Sequence, residues 1–247
     1  MNLIIDIGNS FVKVAIMDGD EILWKERYSS PQEFDALAIK GRWPQIARAI
    51  VASTAVDTLS ATEALREAGI EVLEMNSLTP VPIGNEYATP ETLGVDRLAA
   101  AVAAVEVMGC RDCIIVDLGS AITIDFVKDG IYRGGNISPG VEMRFRALHD
   151  YTKRLPKCQP TDEVLEMGRT TSQAIEQGVM QGIENEIRGY IEAFCKKNAK
   201  ISIIFAGGDA IFFDKRIKNA IFAKCDLVIT GLNRILDYNA STKQGNN

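Results

Sequence analysis

The chain has 247 residues, of which 47% are hydrophobic and 24% are charged, and its formal net charge is −6. This length accommodates one large or two small domains, and the composition is typical of a soluble globular protein. The acidic balance argues against the basic face with which proteins bind duplexes, so no nucleic-acid partner is expected. The longest apolar run, residues 98–105, is far too short to span a bilayer, so no membrane partner is expected.

The chain begins with a strand pattern and without the basic segment of a signal peptide, which predicts a cytoplasmic protein. Its five cysteines are an odd number scattered over a long chain, so a disulfide framework is not expected. Cys110 and Cys113 have CxxC spacing, but they precede a strand instead of opening a helix. With His149 as the one histidine, no zinc site is expected.

The first part of the chain predicts three strands followed by alternating helices and strands. Polar and glycine residues at 8–9 and 18–20 are typical of turns, and Ser30-Pro31 is typical of a helix start. The predicted elements are strands 2–6, 11–17 and 21–27, helix 31–40, strand 46–53, helix 58–68 and strand 70–75. This β-β-β-α-β-α-β order is that of a ribonuclease-H-like α/β domain.

A second series of elements follows a polar loop over residues 76–92. It opens with an Ala-rich helix over 95–108, which ends at Gly109. The remaining predictions are strands 113–117, 121–128 and 131–133, a Gly/Pro loop at 134–140, helices 141–149, 171–197 and 209–219, strands 201–205 and 227–230, and a frayed end at 241–247. Because the strand pattern restarts near residue 109, we predict domains at 1–108 and 109–247.

One turn pattern occurs in both halves of the chain. Asp6-Ile-Gly-Asn-Ser and Asp117-Leu-Gly-Ser each lie between two apolar runs, which predicts strand, acidic turn and strand. The glycine lets backbone N–H groups approach an anion, and the carboxylate can hold the cation that accompanies a phosphate. Such turns also occur in ordinary hairpins. The duplication favours two related domains that face one shared nucleotide.

A third acidic segment is Thr92-Leu-Gly-Val-Asp-Arg97, at the start of the Ala-rich helix. An acid such as Asp96 in the first turn of a helix complements the helix dipole, which is a structural role. In the same position, Asp96 can accept the proton of a substrate hydroxyl during phosphoryl transfer, and Arg97 can bind an anion. Spacing alone leaves both interpretations open.

Three further features each allow two interpretations. Lys13 is either solvated or reaches a phosphate oxygen, and Tyr87 is either a surface residue or part of a pocket. Gly207-Gly208, after an apolar strand, either forms a rigid loop or packs against a nucleotide. The sequence contains neither a P-loop pattern nor a G-x-S-x-G nucleophile elbow.

Taken together, the motifs resemble type III pantothenate kinase in their order and spacing. The Leu-Gly-Val-Asp-Arg block is the most specific part, whereas the acidic turns are shared with the wider superfamily of acetate kinase, sugar kinases and actin. The resemblance covers nearly the whole chain and is carried by segments 6–13, 92–97, 117–123, 134–140, 147–156 and 168–175.

The resemblance implies two ribonuclease-H-like domains of the actin-like ATPase type, with a nucleotide cleft between them, in a homodimer. It implies transfer of the ATP γ-phosphoryl group to the primary hydroxyl of pantothenate, the first step of coenzyme A synthesis. The implied cofactors are Mg²⁺ and a monovalent cation, K⁺ or NH4⁺.

The resemblance also assigns expected roles to residues of this chain. Asp96 is expected to be the proton acceptor, and Asp117 to bind the monovalent cation. Asp6 is expected to lie near Mg²⁺, through a phosphate or water. The expected ATP contacts are Asp6, Gly8, Asn9, Ser10, Lys13, Ser120, Gly207 and Gly208. The expected pantothenate contacts are Tyr87, Gly94, Val95, Asp96, Arg97 and Thr171.

The chain departs from the family pattern at a few positions. Ser120 replaces a threonine but keeps its hydroxyl, so a phosphate contact is expected to survive. Leu118 replaces a smaller alanine, which could tilt the cation-binding turn, and Lys153-Arg154 replaces a pair of small residues. Two alternatives stay open, namely another kinase of the superfamily and a non-catalytic ATP-binding transcriptional regulator. The acidic pI and the absence of a clear helix-turn-helix argue against the regulator.

Overall fold

A computed structural model describes residues 1–54, 58–196, 201–213, 216–217, 220–222 and 226–245. The chain divides into two compact units. The first consists of Met1–Arg111, Asp129–Arg133 and Cys225–Asn247, and the second of Asp112–Lys128 and Gly134–Lys224. The predicted domain boundary at residues 108 and 109 stays a prediction, because a domain is defined by independent folding, which compactness alone does not establish.

The first unit is built on a mixed sheet with the strand order β3-β2-β1-β4-β5. Strands β1 to β3 form an antiparallel meander, and β4 and β5 add in parallel to β1. Their bounds are β1 Asn2–Ile7, β2 Val12–Asp18, β3 Glu21–Tyr28, β4 Arg48–Ser53 and β5 Glu71–Glu74. Helices α1 (Ala36–Arg42) and α2 (Leu59–Glu67) connect β3, β4 and β5.

All six residues of the central strand β1 are buried, as expected for a strand with packing on both faces. Leu3, Ile5 and Ile7 belong to a core cluster with Val14 and Ile16 of β2. Because side chains alternate along a strand, Asn2, Ile4 and Asp6 point to the opposite face. The register of β1 therefore places a carboxylate on a face that the main apolar cluster does not occupy.

The face that carries Asn2 is covered by the C-terminal helix α6 (Leu227–Gly245). Asn2 Nδ2 donates hydrogen bonds of 2.8 Å each to Asn233 Oδ1 and Asp237 Oδ1. The predicted strand at 227–230 is wrong. Its apolar residues continue at helical spacing through Leu232, Ile235 and Leu236, which are all buried.

Helix α6 also packs against helix α3 (Val95–Val102), which continues as a π-helical segment over Ala103–Val107. The two helices approach each other closely at Gly231. A Cβ atom at this position would lie 1.8 Å from the carbonyl oxygen of Ala99. The backbones of α3 and α6 can therefore meet only where a side chain is missing.

We expect Gly231→Ala to lower the free energy of unfolding by about 3 kcal/mol, because the added methyl group overpacks the α3–α6 contact. The matched control is Gly178→Ala, in a helix of the second unit where an added Cβ meets nothing within 4 Å. The control should raise stability by roughly 0.5–1 kcal/mol. Urea unfolding measures both values, and an equal effect of the two substitutions would contradict the close packing.

The second unit is built on strands in the order β11-β10-β7-β8-β9. Strands β10 and β7 are parallel, and β7 and β8 form an antiparallel hairpin. The bounds are β7 Cys113–Leu118, β8 Ala121–Lys128, β9 Ile131–Pro139, β10 Ser202–Ala206 and β11 Ile221–Phe222. Strand β9 begins in the first unit, where its first two residues pair with the short strand β6 (Gly84–Asn85).

Helices α4 (Val141–Asp150) and α5 (Thr171–Cys195) pack on one face of this second sheet. Their apolar residues form a core cluster with Val116 and Leu118 of β7. Thr170 caps the N-terminus of α5, because its side-chain oxygen accepts a 3.2 Å hydrogen bond from the Gln173 N–H. Within the described ranges, no helix combines the length and apolarity needed to cross a bilayer.

Three other predicted boundaries also differ from the structure. Residues 134–139 were predicted as a loop but belong to β9, since strands outside the sheet centre tolerate Gly and Pro. The predicted helix 31–40 is a 3₁₀ turn at Pro31–Glu33 followed by α1, because the Asp35 carboxylate caps the Ala38 N–H. The predicted helix 209–219 is a 3₁₀ turn over Gly208–Phe212, and part of the remainder lies outside the described residues.

Candidate functional site

The first acidic turn joins β1 to β2 through residues 8–11. The Gly8 N–H donates a 3.1 Å hydrogen bond to the Phe11 carbonyl oxygen, which closes the turn. Asn9 and Ser10 at its tip are exposed, whereas Asp6 at its base is buried. The turn thus presents polar groups to solvent and keeps its carboxylate buried near the C-terminal end of the central strand.

Asp6 lies directly opposite Lys13 in the β1–β2 register. The Lys13 ammonium is 3.8 Å from Asp6 Oδ2 and 3.9 Å from Asp226 Oδ1. Asp226 immediately precedes α6, and its other oxygen lies 3.4 Å from the Lys25 ammonium. Two carboxylates and two ammonium groups therefore form a chain in the order Asp6, Lys13, Asp226 and Lys25.

The second acidic turn joins β7 to β8 and is one residue shorter than the first. Leu118 pairs with Ile122, and the Gly119 N–H donates a 3.1 Å hydrogen bond to the Ala121 carbonyl oxygen. Asp117 therefore lies opposite Thr123, where the first turn has Lys13. The two turns share the acid and the glycine but differ in the charge of the residue across the hairpin.

Two glycines from other segments of the second unit pack against this turn. A Cβ atom at Gly207 would lie 2.3 Å from the Leu118 carbonyl oxygen and 2.5 Å from Asp117 Oδ1, and Gly207 has a φ of +89°. A Cβ atom at Gly140 would lie 2.3 Å from the Gly119 carbonyl oxygen. Both positions therefore require glycine if the turn is to keep its geometry.

We expect Gly207→Ala to destabilise the protein by about 3 kcal/mol, because alanine would be strained at this φ and would collide with the Leu118 carbonyl group. Gly208→Ala is the adjacent control, since an added Cβ there meets nothing within 4 Å. Its effect should stay within about 0.5 kcal/mol. Chemical denaturation of both variants checks this, and a tolerated alanine at 207 would show that the turn can move.

Gly208 opens the 3₁₀ turn whose second residue is Asp209. Partial burial raises the pKa of the Asp209 carboxyl above its ordinary value, and the charge of Glu142, in the first turn of α4, raises it further. The Gly207-Gly208 segment thus lies between Asp117 and a second carboxyl group.

Helix α3 begins at Gly94, whose carbonyl oxygen accepts the first helical hydrogen bond, from the Leu98 N–H at 3.2 Å. Asp96 Oδ1 accepts a 2.8 Å hydrogen bond from the Arg97 N–H. A Cβ atom at Gly94 would lie only 2.5 Å from this same oxygen. Gly94 therefore makes room for the Asp96 carboxylate, which is half-buried at the N-terminus of the helix.

Tyr87 packs beside this helix start. The guanidinium carbon of the buried Arg97 lies 5.8 Å from the centre of the Tyr87 ring, within the range of a cation–π contact. The other neighbour of Tyr87 is the buried Tyr132, with a ring-centre distance of 6.1 Å. The structure thus brings Tyr87, Gly94, Asp96 and Arg97 together in the first unit.

The remaining predicted residues lie in different places. Val95 is buried in α3, and Thr171 is the exposed first residue of α5 in the second unit. Ser120 is exposed in the second turn. Leu118 is the bulkier residue that could tilt the cation-binding turn. Its side chain is fully buried in the core cluster and points away from Asp117.

Sequence reasoning missed two charged residues near the first turn, Lys25 and Asp226. Asp226 was missed because residues 227–230 were predicted as a strand, so the return of α6 to the first sheet was not foreseen. The signal was available in the helical spacing of Ile229, Leu232 and Leu236. Lys25 gave no signal, since a lysine on an outer strand is usually solvated.

The oxygen atoms around the acidic turns fit the ligand preferences of hard cations. At the second turn, the Asp117 carboxylate and the Leu118 carbonyl oxygen both lie close to Gly207, so two oxygen donors come together there. At the first turn, Asp6 offers one carboxylate beside a glycine-containing backbone. Such sites suit Mg²⁺ or K⁺ when phosphate and water supply further oxygens. Among the described residues, no group of three or more His, Cys, Asp or Glu side chains could hold a metal by itself.

Comparison with known proteins places this geometry in a family context. A model of the family described as type III pantothenate kinase matches residues 2–193. A type III pantothenate kinase of Phocaeicola vulgatus is 45% identical to this chain over 243 residues, which cover 97% of this chain and 99% of that protein. The matched segment includes both acidic turns, the start of α3 and the start of α5.

Solved structures also resemble the fold, among them the following two. One is a protein of Campylobacter jejuni described as a transcriptional activator of the Baf family, with a TM-score of 0.64, 24% identity and coverage of 97% and 99% of the two chains. The other is the activator of 2-hydroxyisocaproyl-CoA dehydratase from Clostridium difficile with bound ADPNP, with a TM-score of 0.54, 14% identity and coverage of 98% and 97%. These likenesses concern the fold alone, and they confirm the predicted actin-like ATPase class.

Proposed function

The chain belongs to the type III pantothenate kinase family, and we propose that it transfers the γ-phosphoryl group of ATP to the primary hydroxyl of pantothenate. The product is 4'-phosphopantothenate, and the reaction is the first step of coenzyme A synthesis. The observation that carries the proposal is the start of α3, where Gly94 makes room for the Asp96 carboxylate next to the Arg97–Tyr87 contact.

Asp96 acts as the proton acceptor in this proposal. The hydroxyl oxygen of pantothenate attacks the γ-phosphorus, its proton passes to the Asp96 carboxylate, and ADP leaves with the electrons of the broken P–O bond. The hydrogen bond from the Arg97 N–H fixes one carboxylate oxygen. Phosphoryl transfer depends mainly on positioning and charge neutralisation, so a carboxylate held in a fixed position is sufficient.

The acidic turns bind the ATP phosphates in this proposal. The backbone and side chains of Gly8, Asn9 and Ser10 contact phosphate oxygens, Lys13 supplies a positive charge, and Ser120 contributes from the second turn. Gly207 and Gly208 border the nucleotide. Tyr87, Gly94, Val95, Arg97 and Thr171 contact pantothenate, with Arg97 as the cation for its carboxylate.

Cations complete the charge balance. Asp117 would hold a monovalent cation, K⁺ or NH4⁺, and Asp6 would lie beside Mg²⁺, through a phosphate oxygen or water. When bound, these ions neutralise the negative charge of the transferred group. The residue opposite Asp117 is the neutral Thr123, which supports the monovalent site there, whereas Lys13 lies opposite Asp6, so Mg²⁺ beside Asp6 rests on the family resemblance alone.

A transcriptional regulator of the same fold is the alternative, and it is not favoured. The Campylobacter jejuni protein is described as an activator, but its 24% identity supports a shared fold and nothing further. The Phocaeicola vulgatus relative, at 45% identity over nearly the whole chain, is a kinase by name.

We further propose a cytoplasmic homodimer without membrane or nucleic-acid partners, in line with the family resemblance.

An ADP-release assay tests the proposed reaction. We expect ADP formation to require pantothenate, Mg²⁺ and K⁺, because hydroxyl, phosphates and cations must all be present for transfer. Each component is omitted in turn, and K⁺ is replaced by a large inert cation. Equal activity after this replacement would exclude the monovalent site. No ADP release with pantothenate, together with specific DNA binding in a gel shift, would favour the regulator.

Asp96→Asn should lower kcat more than about a hundredfold, because the amide cannot accept the hydroxyl proton. The melting temperature should change little, since an amide of equal size keeps the Arg97 N–H bond. Glu91→Gln is the control, as Glu91 is an exposed carboxylate in the same segment. A turnover number of Asp96→Asn near that of the wild type would remove Asp96 from its role.

A further inference from the structure

Lys13 is restrained from two sides by carboxylates of different origin. Asp6 is its partner across the hairpin, whereas Asp226 comes from the start of α6, more than two hundred residues away in sequence. The two distances, 3.8 and 3.9 Å, are nearly equal and exceed those of charge-assisted hydrogen bonds. The ammonium group is therefore held between two charges and is not fixed to either of these carboxylates by a hydrogen bond.

Positive charges surround Lys13 on the other side. In the β2–β3 register, Lys13 lies opposite Arg27, and Ala15 lies opposite Lys25. Lys13, Lys25 and Arg27 line a cleft of about 310 Å³ together with Glu26, Asp226 and Ile229. Like charges opposite each other on adjacent strands repel. Asp226 is the acid that offsets this repulsion at the helix end of the cleft.

Asp226 is itself held in place by its surroundings. Its carbonyl oxygen accepts hydrogen bonds from the Thr230 N–H and Oγ1, at 3.0 and 3.2 Å, so its backbone is part of the first turn of α6. The helix is anchored to the sheet by Asn233, whose Nδ2 donates a 2.9 Å hydrogen bond to the Gly19 carbonyl oxygen. The Asp226 side chain is 24% exposed, so solvent screens its charge only in part.

We propose that Asp226 is a positioning residue for ATP binding, which acts through Lys13. Its carboxylate balances the pull of Asp6 and the repulsion from Lys25 and Arg27, and so keeps the Lys13 ammonium at the base of the phosphate-binding turn. The proposal rests on the proposed function only in that Lys13 binds a phosphate group of ATP. It couples the C-terminal helix to the nucleotide turn within the first unit.

The charge of Asp226 has a second effect of opposite sign, which makes the proposal testable. A carboxylate near the triphosphate also repels it, so removal of the charge alone would tighten ATP binding. If positioning dominates, Asp226→Asn weakens ATP binding, and the effect requires Lys13. If simple repulsion dominates, Asp226→Asn tightens ATP binding, and the effect persists without Lys13.

The experiment is a double-mutant cycle of Asp226→Asn and Lys13→Met. We expect Asp226→Asn to raise the KM for ATP about fivefold, with kcat and the KM for pantothenate nearly unchanged. In the Lys13→Met background, Asp226→Asn should have no further effect on ATP. Asp226→Glu, which keeps the charge, should restore part of the wild-type KM. A lower KM for ATP, or an equal effect in both backgrounds, would overturn the proposal.

Asp237→Asn provides a matched control on the same helix. Asp237 also forms an ion pair with a basic strand residue, since its Oδ1 lies 3.3 Å from Arg48 Nη2, but it does not contact Lys13. Its replacement should lower the melting temperature at least as much as Asp226→Asn and leave the KM for ATP unchanged. If Asp237→Asn raised this KM equally, Asp226 would have only a structural role.

Calorimetric titration of a non-hydrolysable ATP analogue repeats the cycle without pantothenate. This measurement separates the proposed function from the positioning role of Asp226, because binding of the analogue depends on Lys13 and Asp226 even if pantothenate is not the acceptor. A cycle that couples the two residues, with no ADP release from pantothenate, would reject the proposed function alone. Wild-type turnover of pantothenate with no coupling between Asp226 and Lys13 would reject the positioning role alone.

Discussion

The register of two β-hairpins is the constraint on which the candidate site depends. In each hairpin Asp is the second-last residue of an apolar strand, and the strand alternation places this Asp on the face away from the main core cluster. A shift of one residue would exchange the faces, bury the carboxylate among Leu and Ile side chains and expose the core. Burial of the apolar residues therefore fixes the position of Asp6 and Asp117, although neither carboxylate contributes to the apolar core.

Close backbone approaches complete the site, and glycine permits them. Gly207 and Gly140 contact the second turn, Gly94 borders the Asp96 carboxylate, and Gly231 lets α6 approach α3. At each of these positions an added Cβ would lie within 2.5 Å of an oxygen atom, below any normal contact distance. These glycines lie in different elements but act in the same way, since each allows an oxygen atom to lie close to its own backbone.

The sequence predicted those features that depend on local pattern. The acidic turns, the start of α3 and the order of strands and helices along the first part of the chain follow from alternation, turn residues and helix-start signals, which act over a few residues. The prediction of a strand at 227–230 was wrong because four apolar residues fit either a strand or a buried helix. The loop prediction was wrong over residues 134–139, because Gly and Pro lower strand propensity without excluding a strand with tertiary pairing.

The sequence by itself determined the α/β class, the two acidic turns and the Asp96 segment, because each is encoded by residues that are near neighbours in the chain. Tertiary structure alone decided that α6 returns to the first sheet, that Asp226 lies 3.9 Å from Lys13 and that Gly140 packs on the turn before β8. These contacts join residues that are distant in sequence. Only packing of the apolar faces selects such contacts, and no local pattern specifies which distant residue will be the partner.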